Sequence, residues 1–161
     1  MTLTYLKAGV NQKGKDAAID DILSMMRRTH GPRVLDLPWG FAGLYSLNGL
    51  SSVKKPVLVA STDGVGTKLK IATRLKKHDT VGIDLVAMSV NDLICVGARP
   101  LFFLDYIALG KANRRLITEI AKGVVEGCVL AECALLGGET AEMPGMYREG
   151  ELDLVGFILG A

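Results

Sequence analysis

Residues 57–77 predict a strand, a glycine-rich turn and a helix in direct succession, which limits the chain to folds containing both element types. The strand is expected over 57–62 and the helix over 67–77. They are joined by Asp63-Gly64-Val65-Gly66-Thr67-Lys68. Glycines let backbone amides come close to an anion, and the start of a helix offers unpaired N–H groups to phosphate. Because an aspartate cannot hold phosphate without a cation, the segment predicts a nucleotide bound through Mg²⁺.

The rest of the chain also alternates between helical and strand patterns. Residues 1–14 form a polar arm, 31–56 form a long loop or a pair of short strands, and 139–151 form a polar loop. Periodicity predicts helices over 16–29, 80–96 and 113–132, and strands over 101–108, 134–136 and 152–159. This order predicts an α+β fold with a mixed sheet packed by helices, and it argues against a regular doubly wound sheet.

Composition excludes several classes of protein. The net charge is +2 with no basic run, so no nucleic-acid partner is expected, and no apolar stretch is long enough to cross a membrane. The N-terminus lacks the pattern of a signal peptide. Cys95, Cys128 and Cys133 lie in apolar surroundings without C-x-x-C spacing, which predicts buried, reduced thiols and a cytoplasmic protein.

The predicted helix over 80–96 is apolar on nearly all sides and is therefore expected to be buried. It nevertheless carries Asp84, Asn91 and Asp92 on one broad face. A buried carboxylate is costly unless it is paired or binds a metal. Asp92 is therefore predicted to bind a metal or ligand, whereas Asp84 is equally consistent with a bond to local backbone.

Asp105, in an apolar strand, and Glu139, directly after Gly137-Gly138, extend this pattern. A nearby lysine or arginine is the alternative partner for Asp105. With Asp63 and Asp92 they predict a cage of four carboxylates around a Mg²⁺-nucleotide. The motif G-x-x-x-x-G-K-[ST] is absent, which argues against a Walker-type NTPase. Lys68 is either a phosphate contact or a solvated lysine at the start of the predicted helix.

Longer stretches of the chain match one enzyme family. They are residues 8–10, 62–69, 78–88, 90–93, 100–106 and 137–147, the last reading Gly-Gly-Glu-Thr-Ala-Glu-Met-Pro-Gly-Met-Tyr. Over essentially its whole length, the chain resembles the N-terminal domain of the phosphoribosylformylglycinamidine cyclo-ligases, or aminoimidazole ribonucleotide synthetases. The stretches at 78–88 and 137–147 separate this family from the thiamine-monophosphate kinases and selenophosphate synthetases.

The resemblance implies an ATP-dependent cyclisation of formylglycinamidine ribonucleotide to aminoimidazole ribonucleotide in purine biosynthesis. It implies that residues 1–161 are an N-terminal ATP-binding and dimerisation domain, with the C-terminal domain absent from this chain. The last residues directly follow a strand, as expected of a domain taken from a longer protein. The family's domain forms a homodimer by pairing its sheet with that of a second chain, near the ATP site.

The resemblance also implies roles for individual residues. Asp63 and Asp92 are the expected catalytic residues and, with Glu139, the expected Mg²⁺ ligands. Contacts to ATP are expected from Gly9, Gly64, Gly66, Thr67, Lys68, Asn91, Asp105, Gly138, Glu139 and Thr140. The chain departs from the family at Leu23, where well-known members have a lysine. Either Lys13, Lys15 or Arg27 replaces that lysine, or its contact is missing from this chain.

Two other functions stay open at this point. One is a non-catalytic nucleotide-binding or dimerisation module, which a turnover assay of the chain would test. The other is a relative that phosphorylates a small molecule, against which the stretch at 137–147 argues.

Overall fold

A computed structural model describes residues 12–36 and 42–161, so the predicted contact at Gly9 lies outside the described ranges. The helices are α1 (Gln12–Met26), α2 (Lys68–Leu75), α3 (Asp79–Cys95) and α4 (Arg114–Leu130). The strands are β1 (Val34–Leu35), β2 (Leu44–Tyr45), β3 (Val59–Gly64), β4 (Pro100–Leu109), β5 (Ala134–Glu142) and β6 (Leu152–Gly160). Short 3-10 helices occupy Arg27–Thr29 and Asn48–Leu50.

The main sheet has the order β3-β6-β4-β5, and it is mixed as predicted. β6 is antiparallel to both β3 and β4, whereas β4 and β5 are parallel. Consequently β3, β4 and β5 run in the same direction, and their carboxyl ends lie at the same end of the sheet. β1 and β2 form a separate antiparallel pair, as one of the two interpretations of residues 31–56 predicted.

The hydrophobic core lies between the main sheet and the helices. It is formed by fully buried side chains of β4 and β6, Phe103, Ile107, Leu154 and Ile158, and of α3 and α4, Leu85, Leu93, Ile117, Ile120 and Val124. α3 and α4 run in the same direction and pack closely: Gly82 lies against Gly123, and Val86 lies against Gly127. A Cβ at Gly123 would overlap the carbonyl oxygen of Asp79. These glycines therefore allow the two helices to approach each other and cover one face of the sheet.

The other face of the sheet is apolar but only partly buried, and we refer to it as the open sheet face. Strand alternation places on it Phe102, Leu104 and Tyr106 of β4, Val155, Phe157 and Leu159 of β6, and Ala60 and Thr62 of β3. Phe157 is 40% exposed. Tyr45 of β2 packs against Phe102 on this face, with ring centroids 5.4 Å apart. The described residues leave the rest of the face partly exposed, and exposed apolar surface of this kind is typical of an interaction site.

Three predictions about elements were wrong. β5 continues to Glu142 because residues 137–142 pair with Leu104–Leu109, although their glycines and polar side chains disfavour a strand. α1 begins at Gln12, before the predicted start at residue 16. The third concerns α3, which is not buried on all sides: Ile94 is 55% exposed, and Cys95, predicted to be buried, is exposed as well. Cys128 and Cys133 are buried free thiols, as predicted.

Candidate functional site

Two carboxylates, Asp63 and Asp92, belong to the region where the carboxyl end of β3 faces α3. Ser61 and Asp63 lie on the side of β3 that faces the helices, because they pair with Ile158 and Gly156, both buried. The Ser61 hydroxyl donates a hydrogen bond of 2.5 Å to Oδ2 of Asp92 on α3. Residues two apart on a strand are separated by about 7 Å, so Asp63 and Asp92 flank one small region.

The turn after Asp63 is a glycine turn that leads directly into α2. The Gly64 amide donates to Oδ1 of Asp63 at 2.8 Å, and Val65 is buried. Gly66 has a φ of +68°, which favours glycine. A Cβ at Gly64 would meet no atom closer than 3.5 Å, so the fold itself does not require glycine there. Thr67 and Lys68 follow at the start of α2, where the Leu69 and Lys70 amides donate to the Gly66 and Thr67 carbonyls, each at 3.1 Å.

Lys68 is paired with α3 in this structure. Its ammonium lies 2.8 Å from Oδ2 of Asp84 and 3.7 Å from the sulfur of Met88. Both charged side chains are about half exposed, at 49% and 50%. Asp84, Met88 and Asp92 are spaced by four residues and form one stripe along α3. The stripe is accessible to solvent, so the prediction that these carboxylates are buried was wrong; Asn91 is exposed beside them.

Asp105 lies on the same face of the sheet as Asp63, separated from it by Gly156 of β6. Its side chain packs on β5, where a Cβ at Gly138 would overlap its carboxyl group. Burial raises the pKa of the Asp105 carboxyl to about 7, against a smaller lowering by its own backbone amide. No lysine or arginine contributes to this pKa, contrary to the alternative considered from the sequence. Gly138 is thus required by packing against Asp105.

Glu139 and Thr140 belong to β5 at the far edge of the sheet. They pair with Tyr106 and Ile107 of β4, and Thr140 is buried. Three strand spacings separate β5 from β3, which is about 14 Å. Among the residues that the structure describes, no three His, Cys, Asp or Glu side chains form a group able to hold a metal. The four predicted carboxylates are therefore not brought together within one chain: Asp63 and Asp92 lie at one edge, and Glu139 lies at the other.

A cavity of about 410 Å³ lies between α1 and β5. Leu23, which stands where the resemblance predicts lysine, lines this cavity together with His30, Asp105 and Glu139. Arg27 lines a neighbouring cavity that also contacts Leu23. Of the suggested replacements, Arg27 is therefore placed near this position, whereas the side chains of Lys13 and Lys15 lie outside the described residues.

Ser61 is the residue at this site that the sequence did not identify. Its partner Asp92 lies 31 positions away, so only a strand-to-helix packing prediction could have joined them. The available signal was the alternation of Val59, Ser61 and Asp63 along one side of a predicted strand.

Comparison with known proteins gives one consistent family. A family model described as AIR synthase related protein, N-terminal domain, matches residues 47–161. Two similar proteins, both named phosphoribosylformylglycinamidine cyclo-ligase, come from Finegoldia magna and Lawsonia intracellularis. The first is 54% identical over 99% of this chain and 47% of its own length. The second is 58% identical over 97% of this chain and 44% of its own length. The chain thus spans about half the length of the curated relatives it matches.

Solved structures confirm the fold. Thiamine-monophosphate kinase from Stenotrophomonas maltophilia K279a has a TM-score of 0.65 and 23% identity, over 89% of this chain and 41% of that one. Hydrogenase maturation protein HypE in complex with ATP has a TM-score of 0.60 and 19% identity, over 91% of this chain and 39% of that one. Within the described ranges, no helix has the length and apolar character needed to cross a membrane.

Proposed function

This chain belongs to the AIR synthase related protein N-terminal domain family, and we propose that it is the Mg²⁺-ATP-binding half of a phosphoribosylformylglycinamidine cyclo-ligase. The proposed reaction of the whole protein is the ATP-dependent cyclisation of formylglycinamidine ribonucleotide to aminoimidazole ribonucleotide. Relatives of that name are 53–58% identical to this chain. The observation that carries the proposal is the Ser61–Asp92 hydrogen bond, which places Asp92 beside the strand that carries Asp63, next to a glycine turn that leads into a helix.

ATP is the nucleotide that this arrangement suits. A protein of the same fold was solved with ATP, and Gly66 leads directly into the start of α2, where the helix dipole favours a phosphate. Lys68 adds an ammonium at the start of α2. Because an exposed ion pair contributes only about 0–1 kcal/mol, Lys68 can exchange Asp84 for a phosphate at little cost.

The donor set at this site fits Mg²⁺. Asp63, Asp92 and Asn91 offer oxygen atoms, which Mg²⁺ prefers, and Mg²⁺ is usually held by one or two carboxylates together with phosphates and water. Two carboxylates are therefore sufficient, and a complete protein cage is not required. When bound, Mg²⁺ would neutralise charge on the β- and γ-phosphate oxygens.

In the proposed reaction, the formyl oxygen of the substrate takes the γ-phosphoryl group of ATP, and ADP is released. The internal nitrogen then attacks the formyl carbon, and the ring closes as the C–O bond to phosphate breaks, phosphate leaves and the nitrogen loses its proton. This chain's residues hold and orient the nucleotide, which is the main protein contribution to phosphoryl transfer. Other substrate contacts are assigned to the part of the relatives' length that lies beyond this chain.

Two copies of the chain are proposed to pair through their open sheet faces. The support is the partly buried apolar surface formed by Leu104, Phe157 and their neighbours. Such a pairing would bring the β5 edge of one copy, with Glu139, toward the β3 edge of the other. This arrangement would give Glu139 a role at the nucleotide that it cannot have within one chain.

The test is calorimetric titration of the chain with Mg²⁺-ATP. Asp63→Asn and Asp92→Asn are each expected to weaken binding at least ~10-fold, because a metal ligand is lost, while the unfolding midpoint stays the same. Asp20→Asn, which changes an exposed carboxylate on α1, is the matched control. Unchanged affinity in both site variants would refute the proposal.

A turnover assay separates the alternatives. Phosphorylation of a small molecule without ring closure would favour a function like that of the kinase with the matching fold. Ring closure by the 161-residue chain alone would exclude the non-catalytic module.

A further inference from the structure

We propose that Ser61 is a positioning residue: its hydroxyl occupies one carboxylate oxygen of Asp92 and thereby directs the other oxygen to the metal. The inference rests on the proposed function, because it assigns a second residue to the same Mg²⁺-ATP site. It goes beyond that function in naming which Asp92 oxygen is available and which side chain determines this.

The hydrogen bond joins two rigid elements. Ser61 belongs to β3 and is paired with Ile158, which is fully buried in the centre of the sheet. Asp92 precedes Leu93, which is also fully buried, on α3. The 2.5 Å contact between Ser61 Oγ and Asp92 Oδ2 therefore joins two backbones that are each fixed by the core. Its geometry is set by the fold and does not depend on a mobile loop.

The chemistry of the contact selects one oxygen. A serine hydroxyl has one proton to donate, and here that proton is directed to Oδ2. A carboxylate held in this way can offer its other oxygen to a cation in monodentate fashion. Mg²⁺ demands near-octahedral geometry, so a ligand that rotates freely binds it less well. Hydrogen-bond partners of metal ligands typically contribute roughly 10–100-fold to metal affinity.

The neighbouring cation does not replace Ser61 in this role. The Lys68 ammonium lies with Asp84 and Met88, which are about two turns and one turn away from Asp92 along the stripe on α3. Asp63 is engaged by the Gly64 amide through its own Oδ1. Each acidic side chain of this region thus has a separate partner, and Ser61 is the one that orients Asp92.

The experiment measures ATP affinity of the chain by calorimetry, with Mg²⁺ and with EDTA, and Mn²⁺ affinity by electron paramagnetic resonance. Ser61→Ala is expected to weaken Mg²⁺-ATP and Mn²⁺ binding roughly 10–100-fold and to leave metal-free ATP binding unchanged. Ser61→Thr keeps the hydroxyl and is expected to restore most of the affinity. Ser61→Cys keeps the shape but donates weakly, and it serves if the alanine variant unfolds.

Thr62→Ala is the matched control. Thr62 is the next residue of β3 and donates to the Gly156 carbonyl at 2.9 Å, but it lies on the open sheet face. It is expected to leave metal affinity unchanged. If the unaltered chain fails to bind Mg²⁺-ATP, the proposed function fails. If it binds and Ser61→Ala binds equally well, or loses affinity equally without metal, the inference about Ser61 is overturned.

Discussion

At the scale of single residues, the environment of Asp105 makes the stability of the fold depend on pH in a way that can be tested. Its carboxyl packs against Gly138, and burial raises its pKa from 3.8 to about 7. Between these two values the folded chain keeps a proton that the unfolded chain has released. The free energy of unfolding contributed by this group therefore falls as the pH rises through that window.

Asp105→Asn is expected to remove this dependence. The variant keeps the shape beside Gly138 but has no titrating group, so at pH 8 it should be more stable than the original chain by about 2 kcal/mol. This value is smaller than the full pKa shift would give, because water reaches part of the Asp105 side chain. Urea unfolding at several pH values measures the effect. Asp20→Asn, with an exposed carboxylate, should reproduce the original profile. Equal slopes for Asp105→Asn and the original chain between pH 4 and 7 would contradict the assignment.

Site residues within one short segment could be identified from the sequence, whereas contacts between distant segments could not be predicted. Asp63 and Gly66 were identified because a strand, a turn and a helix follow one another within a few residues. The Ser61–Asp92 hydrogen bond joins residues 31 positions apart and depends on how α3 lies on β3. Asp105 was identified as unusual, but its contact with Gly138 depends on the register of two parallel strands.

At the scale of elements, the crossing of α3 and α4 determines where Asp84 and Asp92 lie over β3. A Cβ at Gly123 would overlap backbone atoms of Asp79, which cannot move aside as a flexible side chain could. We expect Gly123→Ala to lower the free energy of unfolding by about 2 kcal/mol, with overpacking only partly offset by better helix propensity. Chemical denaturation checks this value.

Gly31→Ala is the control for that change, because no atom lies within 4 Å of the added carbon. It should leave stability within about 0.5 kcal/mol of the original. A similarly small effect of Gly123→Ala would show that the helices can separate without cost.

The elements themselves followed the hydrophobic pattern closely, apart from the start of α1, the burial of α3 and the length of β5. α3 and α4 were predicted within two residues at each end, because long periodic runs are the most reliable sequence signal. The length of β5 was missed, since glycines and charges at 137–142 carry no strand signal. Pairing with β4 supplies what local propensity lacks, and that pairing is not visible in the segment itself.

At the scale of the whole molecule, the open sheet face is the surface on which self-association would depend. Phe157 lies on it with 40% exposure, between Thr62 and Leu104 on the neighbouring strands. If two copies pair there as proposed, Phe157→Asp should raise the dimer dissociation constant at least ~10-fold, because a charge would be buried in an apolar interface. Light scattering across a range of concentrations would measure this.

Leu75→Asp is the matched control for Phe157. Leu75 is 70% exposed on α2, away from the open sheet face. It should leave the oligomeric state unchanged. Equal effects of both substitutions, or a chain that is monomeric before any change, would contradict pairing through this face.

The position of β6 has a consequence for the order in which the molecule is assembled on the ribosome. β6 follows β3, β4 and β5 in the sequence, yet it lies between β3 and β4 and joins them. Until residues 152–160 have emerged, Asp63 on β3 has no sheet connection to the β4–β5 pair. Contacts between distant segments form slowly and leave strand edges exposed until they form. The nascent chain therefore carries two unjoined β segments until β6 has been made, and the surroundings of Asp63 are completed only when β6 enters the sheet.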